Sequence, residues 1–159
     1  MNIVVASRQR KKKINTQLLT QIAGALLEEL KITEAELGIN LVGAREMTLV
    51  NETFLKHTGS TDVITFDHLE AKAGSRKREL HGELFICVDD ARLHARRFGT
   101  SWQSETVRYL VHGVLHLLGH DDLKPDSRRK MKRAENRRLR SLVQKFSLAQ
   151  IGARSKISA

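Results

Sequence analysis

Two histidines four positions apart, His112 and His116, are the residues of this sequence best placed to do chemistry. On a helix, side chains at this spacing lie on one face, one turn apart. The surrounding residues 107–118 are apolar nearly all round, so the helix is expected to be buried. Burying two imidazoles without polar partners is costly, and neutral imidazole is a common zinc ligand. The spacing therefore predicts a divalent metal ion between the two rings.

The residues after His116 supply a third candidate ligand. Gly119 follows His116 by three positions and is expected to end the helix, and Asp122 lies three positions further on. This is the ligand spacing of the metzincin metalloproteases, in which the chain turns back at the glycine. Three protein ligands leave a fourth position open, as in catalytic zinc sites. We therefore predict one zinc ion per chain, bound by His112, His116 and Asp122.

The residue after the first histidine departs from the metzincin pattern. Metzincins have a glutamate there as general base, whereas this chain has Gly113. A peptidase of that type would lack the group that deprotonates its water. Hydrolysis of another substrate remains available, because a bound metal itself makes water more acidic.

The remaining sequence predicts the elements that position this motif. β-Branched and apolar runs predict strands at residues 3–5, 39–42, 63–66 and 83–88. Helical spacing of apolar residues predicts helices at residues 15–30, 45–55, 89–98, 100–118 and 126–146. The polar residues 68–81 are predicted to form a loop. We therefore predict an α+β fold, a single domain with a small mixed β-sheet of about four strands packed by helices.

The charge distribution favours a polyanionic partner. The 159 residues include 28 Lys and Arg against 18 Asp and Glu, which gives a net charge of +10. Residues 124–159 hold 12 basic and 2 acidic side chains, whereas residues 1–123 hold 16 of each. A neutral body with a cationic segment suits a polyanionic partner, which is RNA, DNA or an acidic membrane surface, although a merely solubilising surface has the same composition.

Cysteine content and hydropathy bear on location and boundaries. Cys87 is the only cysteine, so we expect neither an internal disulfide nor a disulfide-linked partner. No apolar run approaches the roughly 20 residues of a membrane-spanning helix, and the apolar N-terminal stretch is too short for a signal peptide. We expect a cytoplasmic protein without a membrane partner. Residues 1–146 are predicted to form the folded domain, and residues 147–159 a basic, disordered tail.

Three motifs together resemble those of a known family. The metal motif HGVLHLLGHDD (residues 112–122) is preceded by TDVITF (residues 61–66) and GELFI (residues 82–86). With these motifs the chain resembles the YbeY family of bacterial rRNA maturation factors over about residues 3–146. Asn51, Met131 and Glu135 also stand where the family pattern places them.

The resemblance implies a function. It implies a small mixed sheet with helices, one zinc ion, and metal-dependent endonucleolytic cleavage of single-stranded RNA. It also implies a role in late-stage maturation of small-subunit rRNA and in ribosome quality control, with the ribosomal small subunit as partner.

Near the metal motif, two positions depart from the family pattern. The third ligand of the family is usually histidine, where this chain has Asp122, and the residue two positions before it is commonly tyrosine, here His120. His120 is therefore a rival ligand, a partner of a ligand or a proton carrier. We prefer Asp122 because it alone keeps the spacing from Gly119.

A third departure concerns phosphate binding. The family usually has a functional arginine four positions after Asn51, where this chain has Leu55. The resemblance transfers substrate binding to the neighbouring Lys56 or His57, while an exposed basic loop without that role fits equally well.

The sequence leaves two alternatives to the endoribonuclease hypothesis. One is a metal hydrolase acting on another substrate, such as a peptide. The other is a non-catalytic ribosome-assembly factor in which zinc braces the fold. No catalytic base is assigned, because His57, Asp62 and His120 each suit a proton-transfer role. Two groups could attack the phosphodiester bond: metal-activated water, which we favour, and the 2′-hydroxyl of the RNA.

Overall fold

The computed structural model describes residues 1–55, 62–69 and 78–152. Its strands are β1 (Asn2–Ser7), β2 (Glu34–Val42), β3 (Val63–Asp67) and β4 (Glu79–Cys87). Its α-helices are α1 (Thr16–Glu29), α2 (Ala44–Val50), α3 (Val88–Phe98), α4 (Trp102–Leu117) and α5 (Pro125–Lys145). A π-helix, Asn51–Leu55, continues α2, and a 3₁₀ helix, Leu148–Gly152, follows α5.

The four strands form one mixed sheet in the order β1-β2-β4-β3. β2 pairs in parallel with β1 and with β4, whereas β3 is antiparallel to β4. Parallel neighbours need a crossover connection, which α1 supplies between β1 and β2. The predicted α+β domain with a small mixed sheet is therefore confirmed.

The main core lies between one face of the sheet and helices α1 and α4. Alternate residues of the central strands point into this core: Leu37, Ile39 and Leu41 from β2, and Leu80, Leu84 and Ile86 from β4. The two helices cover them with Leu19, Ile22, Leu26 and Leu27 from α1, and Val107, Leu110, Val111 and Val114 from α4. α4 is thus the buried helix that its sequence predicts, and core packing fixes the helix that carries both histidines.

β2 and β4 begin earlier in the sequence than their apolar runs predict. In β4, Glu79, His81 and Glu83 alternate with the buried Leu80 and Gly82, so the strand begins inside the segment predicted to be a loop. Residues 70–77 of that segment lie outside the described residues. No helix of the described ranges has the length and apolarity that crossing a bilayer requires.

The prediction of a disordered tail from residue 147 is wrong for residues 148–152. Both Leu148 and Ile151 are buried in the main core, and the Asn15 amide N–H donates to the Ile151 carbonyl oxygen at 2.7 Å. Two apolar residues in so short a helix are too few to show a helical period, which is why the pattern did not reveal it. Residues 153–159 lie outside the described residues.

Ile151→Ala will destabilise the domain, because the Ile151 side chain is completely buried. We expect its unfolding free energy to fall by about 2–4 kcal/mol, the usual cost of such a cavity. Urea unfolding followed by circular dichroism measures the change. The exposed neighbour provides the control, since Gln150→Ala should cost less than about 0.5 kcal/mol. Equal effects would contradict the docking of this helix.

Candidate metal centre

Both predicted histidine ligands lie on one edge of α4. His112 and His116 are half-buried, and their Nε2 atoms are 3.0 Å apart. α4 ends at Leu117, and Gly119 adopts a left-handed conformation with φ 99°. This is the turn that the sequence predicts, since glycine takes that conformation without strain.

The turn brings Asp122 to the two histidines. Its Oδ2 atom lies 3.8 Å from Nε2 of His112 and 3.8 Å from Nε2 of His116. Tetrahedral zinc with ligand distances of about 2.1 Å separates its ligand atoms by about 3.4 Å. The observed separations bracket that value, so these residues fit a zinc ion. Within the described part of the chain, this is the one group of three His, Cys, Asp or Glu side chains with such spacing.

The other candidates are placed differently. His120 is exposed and is not part of the three-residue group. Asp62 accepts a hydrogen bond from the Val63 amide at 2.7 Å, as a turn-forming residue does, and also lines the cleft described below. Lys56 and His57 lie outside the described residues, so their assignment to substrate stays a prediction.

Glu135 of α5 holds the first histidine in place, a role that the sequence did not reveal. This buried carboxylate places Oε2 2.9 Å from His112 Nδ1, and its Oε1 accepts a hydrogen bond from Arg108 Nη1 at 2.8 Å. Arg108 also donates to Asn136 Oδ1 at 2.8 Å. A carboxylate that binds Nδ1–H fixes the tautomer in which Nε2 is free to bind a metal.

The pKa values of the two histidines are shifted in opposite directions. Burial raises the pKa of Glu135, but its bonds to His112 and Arg108 outweigh burial and lower it overall. Burial likewise lowers the pKa of His112, and Glu135 more than offsets this, so the net direction is upward. Burial and the charge of His112 lower the pKa of His116. Glu135 is therefore ionised, and His116 favours the neutral form that binds metals, whereas His112 must release a proton when it binds one.

A cleft of about 560 Å³ opens beside the candidate ligands. Its floor is one face of α4, with Glu105, Arg108, Tyr109 and His112. One wall comes from α3, with His94 and Phe98, and the other from α5, with Arg128, Met131 and Lys132. The lining thus combines three cations with four carboxylates, and two of the cations, Arg128 and Lys132, lie together on the α5 wall.

The packing around Gly113 leaves no room for the glutamate that metzincins have at this position. A Cβ atom at this position would lie 2.8 Å from Leu84 Cδ2 and 3.3 Å from Val63 Cγ2. Residue 113 therefore faces the sheet, where α4 crosses it closely. A longer side chain there would enter the core and could not reach a substrate in the cleft.

One family model matches most of the chain. The model described as Endoribonuclease YbeY matches residues 4–143. The chain belongs to the YbeY family. It is similar to the Endoribonuclease YbeY of Bacteroides thetaiotaomicron, with 34% identity over 129 residues, which cover 81% of this chain and 87% of that relative.

Two further relatives are longer than the region they share with this chain. The Endoribonuclease YbeY of Myxococcus xanthus is 36% identical over 123 residues, which are 77% of this chain and 42% of that relative. The one of Chlorobium phaeovibrioides is 37% identical over 100 residues, 63% of this chain and 64% of that relative. The chain thus spans less than two thirds of these two relatives.

The fold also has a solved counterpart. The solution structure of TM1509 from Thermotoga maritima matches with a TM-score of 0.65 over 99% of both chains, at 20% sequence identity. This likeness agrees with the α+β architecture and concerns the fold alone.

Proposed function

We propose that this chain is a zinc-dependent endoribonuclease that cleaves single-stranded RNA. The observation that carries the proposal is the convergence of His112, His116 and Asp122 at the edge of an open, partly cationic cleft. These residues would hold one zinc ion per chain. When bound, zinc supplies a Lewis acid that polarises a phosphoryl oxygen and makes water more acidic. The relatives named Endoribonuclease YbeY support the same activity.

The chain's own residues have separate roles in this proposal. Arg128 and Lys132 neutralise phosphate charge along the cleft. Glu135 orients His112. Of the groups considered for proton transfer, Asp62 lines the cleft and is the one we propose to hold or move a proton there.

The biological substrate that we propose is small-subunit rRNA in late-stage maturation. In this role the chain would act in the cytoplasm on the ribosomal small subunit and would serve ribosome quality control. Family membership supports the proposal, and so does the concentration of positive charge in residues 124–159. Lys56 and His57 remain the residues proposed to contact a phosphate of the substrate.

The geometry favours this function over the two alternatives. Structural zinc sites are normally closed by four protein ligands, whereas the three candidate ligands here adjoin an open cleft. This arrangement supports catalysis over a purely bracing role. A peptidase is disfavoured because residue 113 faces the sheet.

Cleavage of an end-labelled single-stranded RNA tests the proposal. The zinc-loaded protein should cut it internally, should spare the same sequence annealed into a duplex, and should stop when a chelator is added. Absence of any internal cleavage would contradict the proposal.

A substrate with one 2′-deoxy sugar at the scissile position distinguishes attack by metal-activated water from attack by the 2′-hydroxyl of the RNA. Attack by water still cleaves this substrate. Attack by the 2′-hydroxyl does not, because that group is missing.

Two cations of α5 should contribute to RNA affinity through charge alone. Arg128→Ala combined with Lys132→Ala should weaken binding of every single-stranded sequence and reduce the slope of log K against log salt by roughly 0.7 per lost phosphate contact. Fluorescence anisotropy in the presence of a chelator measures binding without cleavage. Arg137→Ala combined with Arg140→Ala removes two exposed cations of the same helix that do not line the cleft, and should change the slope less. Equal changes would assign RNA binding to the whole helix.

A further inference from the structure

Phe98 places an exposed aromatic ring in the cleft. It is the last residue of α3, and Gly99 ends the helix in a left-handed conformation with φ 68°. Its side chain is 66% exposed. Of the nine large apolar side chains that are exposed in the described residues, Phe98 alone lines the cleft beside the candidate metal ligands. Single exposed apolar residues are common on protein surfaces, so it is this location that carries information.

The ring of Phe98 is backed by two further rings. Its centroid lies 5.7 Å from that of His94 in an edge-to-face arrangement, and His94 makes the same kind of contact with Tyr109 at 5.9 Å. His94 Nδ1 is also hydrogen-bonded to the Tyr109 hydroxyl. Tyr109 is buried in the floor of the cleft, so this row of rings connects Phe98 to the rigid core. A ring held in this way loses little entropy when a ligand stacks on it.

The two walls of the cleft suit the two parts of a nucleotide, the aromatic base and the anionic phosphate. α3 and α5 both pack against α4. The α3 wall offers the aromatic ring, whereas the α5 wall offers Arg128 and Lys132. Four carboxylates also line the cleft: Asp122 is a candidate metal ligand and Glu135 is bonded to His112 and Arg108. The other two, Asp62 and Glu105, repel phosphate, which favours a backbone path along the α5 wall.

We propose that Phe98 stacks on a nucleobase of single-stranded RNA while Arg128 and Lys132 hold the adjacent backbone. This inference rests on the proposed endoribonuclease function and deepens it by naming the residue that recognises an unpaired base. Aromatic side chains bind single strands through such stacking without sequence preference. Bases within a duplex are already stacked on each other, so the same contact gives a physical reason for preferring single strands.

Variants of Phe98 test the proposal with zinc-loaded protein. Phe98→Ala should lower kcat/KM for single-stranded RNA by roughly 5- to 150-fold, which corresponds to the loss of one base-stacking contact. Phe98→Tyr keeps a stacking ring and should stay close to wild type. Leu93→Ala is the matched control, because Leu93 is a similarly exposed residue of the same helix that does not line the cleft. Thermal unfolding of all three variants reports whether the fold is intact.

Substrates with a single abasic nucleotide identify the stacked base. The abasic position is moved along the oligonucleotide, and at one position the wild type should fall to the level of Phe98→Ala, with no further loss in the variant. The proposal is overturned if Phe98→Ala cleaves as wild type does, or if its defect persists unchanged at every abasic position. If the wild type does not cleave intact single-stranded RNA, the endoribonuclease function itself fails, a result distinct from these two.

Discussion

Replacing His116 with alanine is expected to abolish both zinc retention and RNA cleavage. His116 is one of three ligands, and its Nε2 atom lies 3.0 Å from that of His112 and 3.8 Å from Asp122 Oδ2. Two remaining ligands do not make a catalytic zinc site. We expect zinc affinity to fall by more than the roughly 10- to 100-fold lost when only a supporting group is removed. The zinc content after dialysis against a weak chelator, with RNA cleavage in parallel, measures both effects.

A neighbouring histidine makes the control specific. His120→Ala removes an exposed imidazole that lies four residues after His116, beyond the end of α4, and is outside the candidate ligand group. It should leave zinc content close to one ion per chain, whereas Asp122→Ala should lower it. The reverse order of these two variants would show that His120 is the third ligand. His116→Ala that still holds zinc and cleaves RNA would contradict the site altogether.

The candidate ligands could be predicted because their geometry is local in sequence. His112, His116, Gly119 and Asp122 lie within a single helix and the turn that follows it, so helical spacing and one glycine determine their relative positions. The buried strands and helices were predicted for the same reason, since apolar periodicity reflects which face meets the core.

The supporting contacts depend on tertiary packing that no local pattern encodes. Glu135 is 23 residues from His112, and the two meet only because α5 packs against α4. One signal was available: Met131, Glu135 and Leu139 follow at intervals of four and are all buried, so a lone acidic residue lies on the apolar face of α5. Phe98 gave no such signal, because it occupies the last position of a helix whose neighbour across the cleft is distant in sequence.

Glu135→Gln is expected to lower zinc affinity by roughly 10- to 100-fold with little change in shape. The carboxylate accepts hydrogen bonds on both sides, from Arg108 Nη1 at 2.8 Å and from His112 Nδ1 at 2.9 Å. Glutamine has only one accepting oxygen. Arginine can only donate, so the amide oxygen must face Arg108 and the amide NH₂ must face His112. The imidazole then accepts at Nδ1 and carries its proton on Nε2, which removes the lone pair that the metal needs.

Removing the arginine should reverse part of this loss. In the double variant Arg108→Ala, Glu135→Gln, the amide is free to rotate and present its oxygen to His112 Nδ1–H, which restores the metal-binding tautomer. We therefore expect the double variant to bind zinc more tightly than Glu135→Gln alone. Arg108→Ala by itself should not raise the zinc affinity above that of the wild type. Zinc affinity measured by competition with a chromophoric chelator is the readout, because Arg108 also lines the substrate cleft and its loss would affect cleavage separately.

A third variant isolates the hydrogen bond that matters. Asn136→Ala removes the other acceptor of Arg108, at 2.8 Å, and leaves the bond between Glu135 and His112 intact. Its zinc affinity should match that of the wild type. Strict additivity of the Arg108 and Glu135 substitutions would refute the tautomer argument, because independent groups add and groups in one hydrogen-bonded network do not. Glu135 would then act on the site only through its charge.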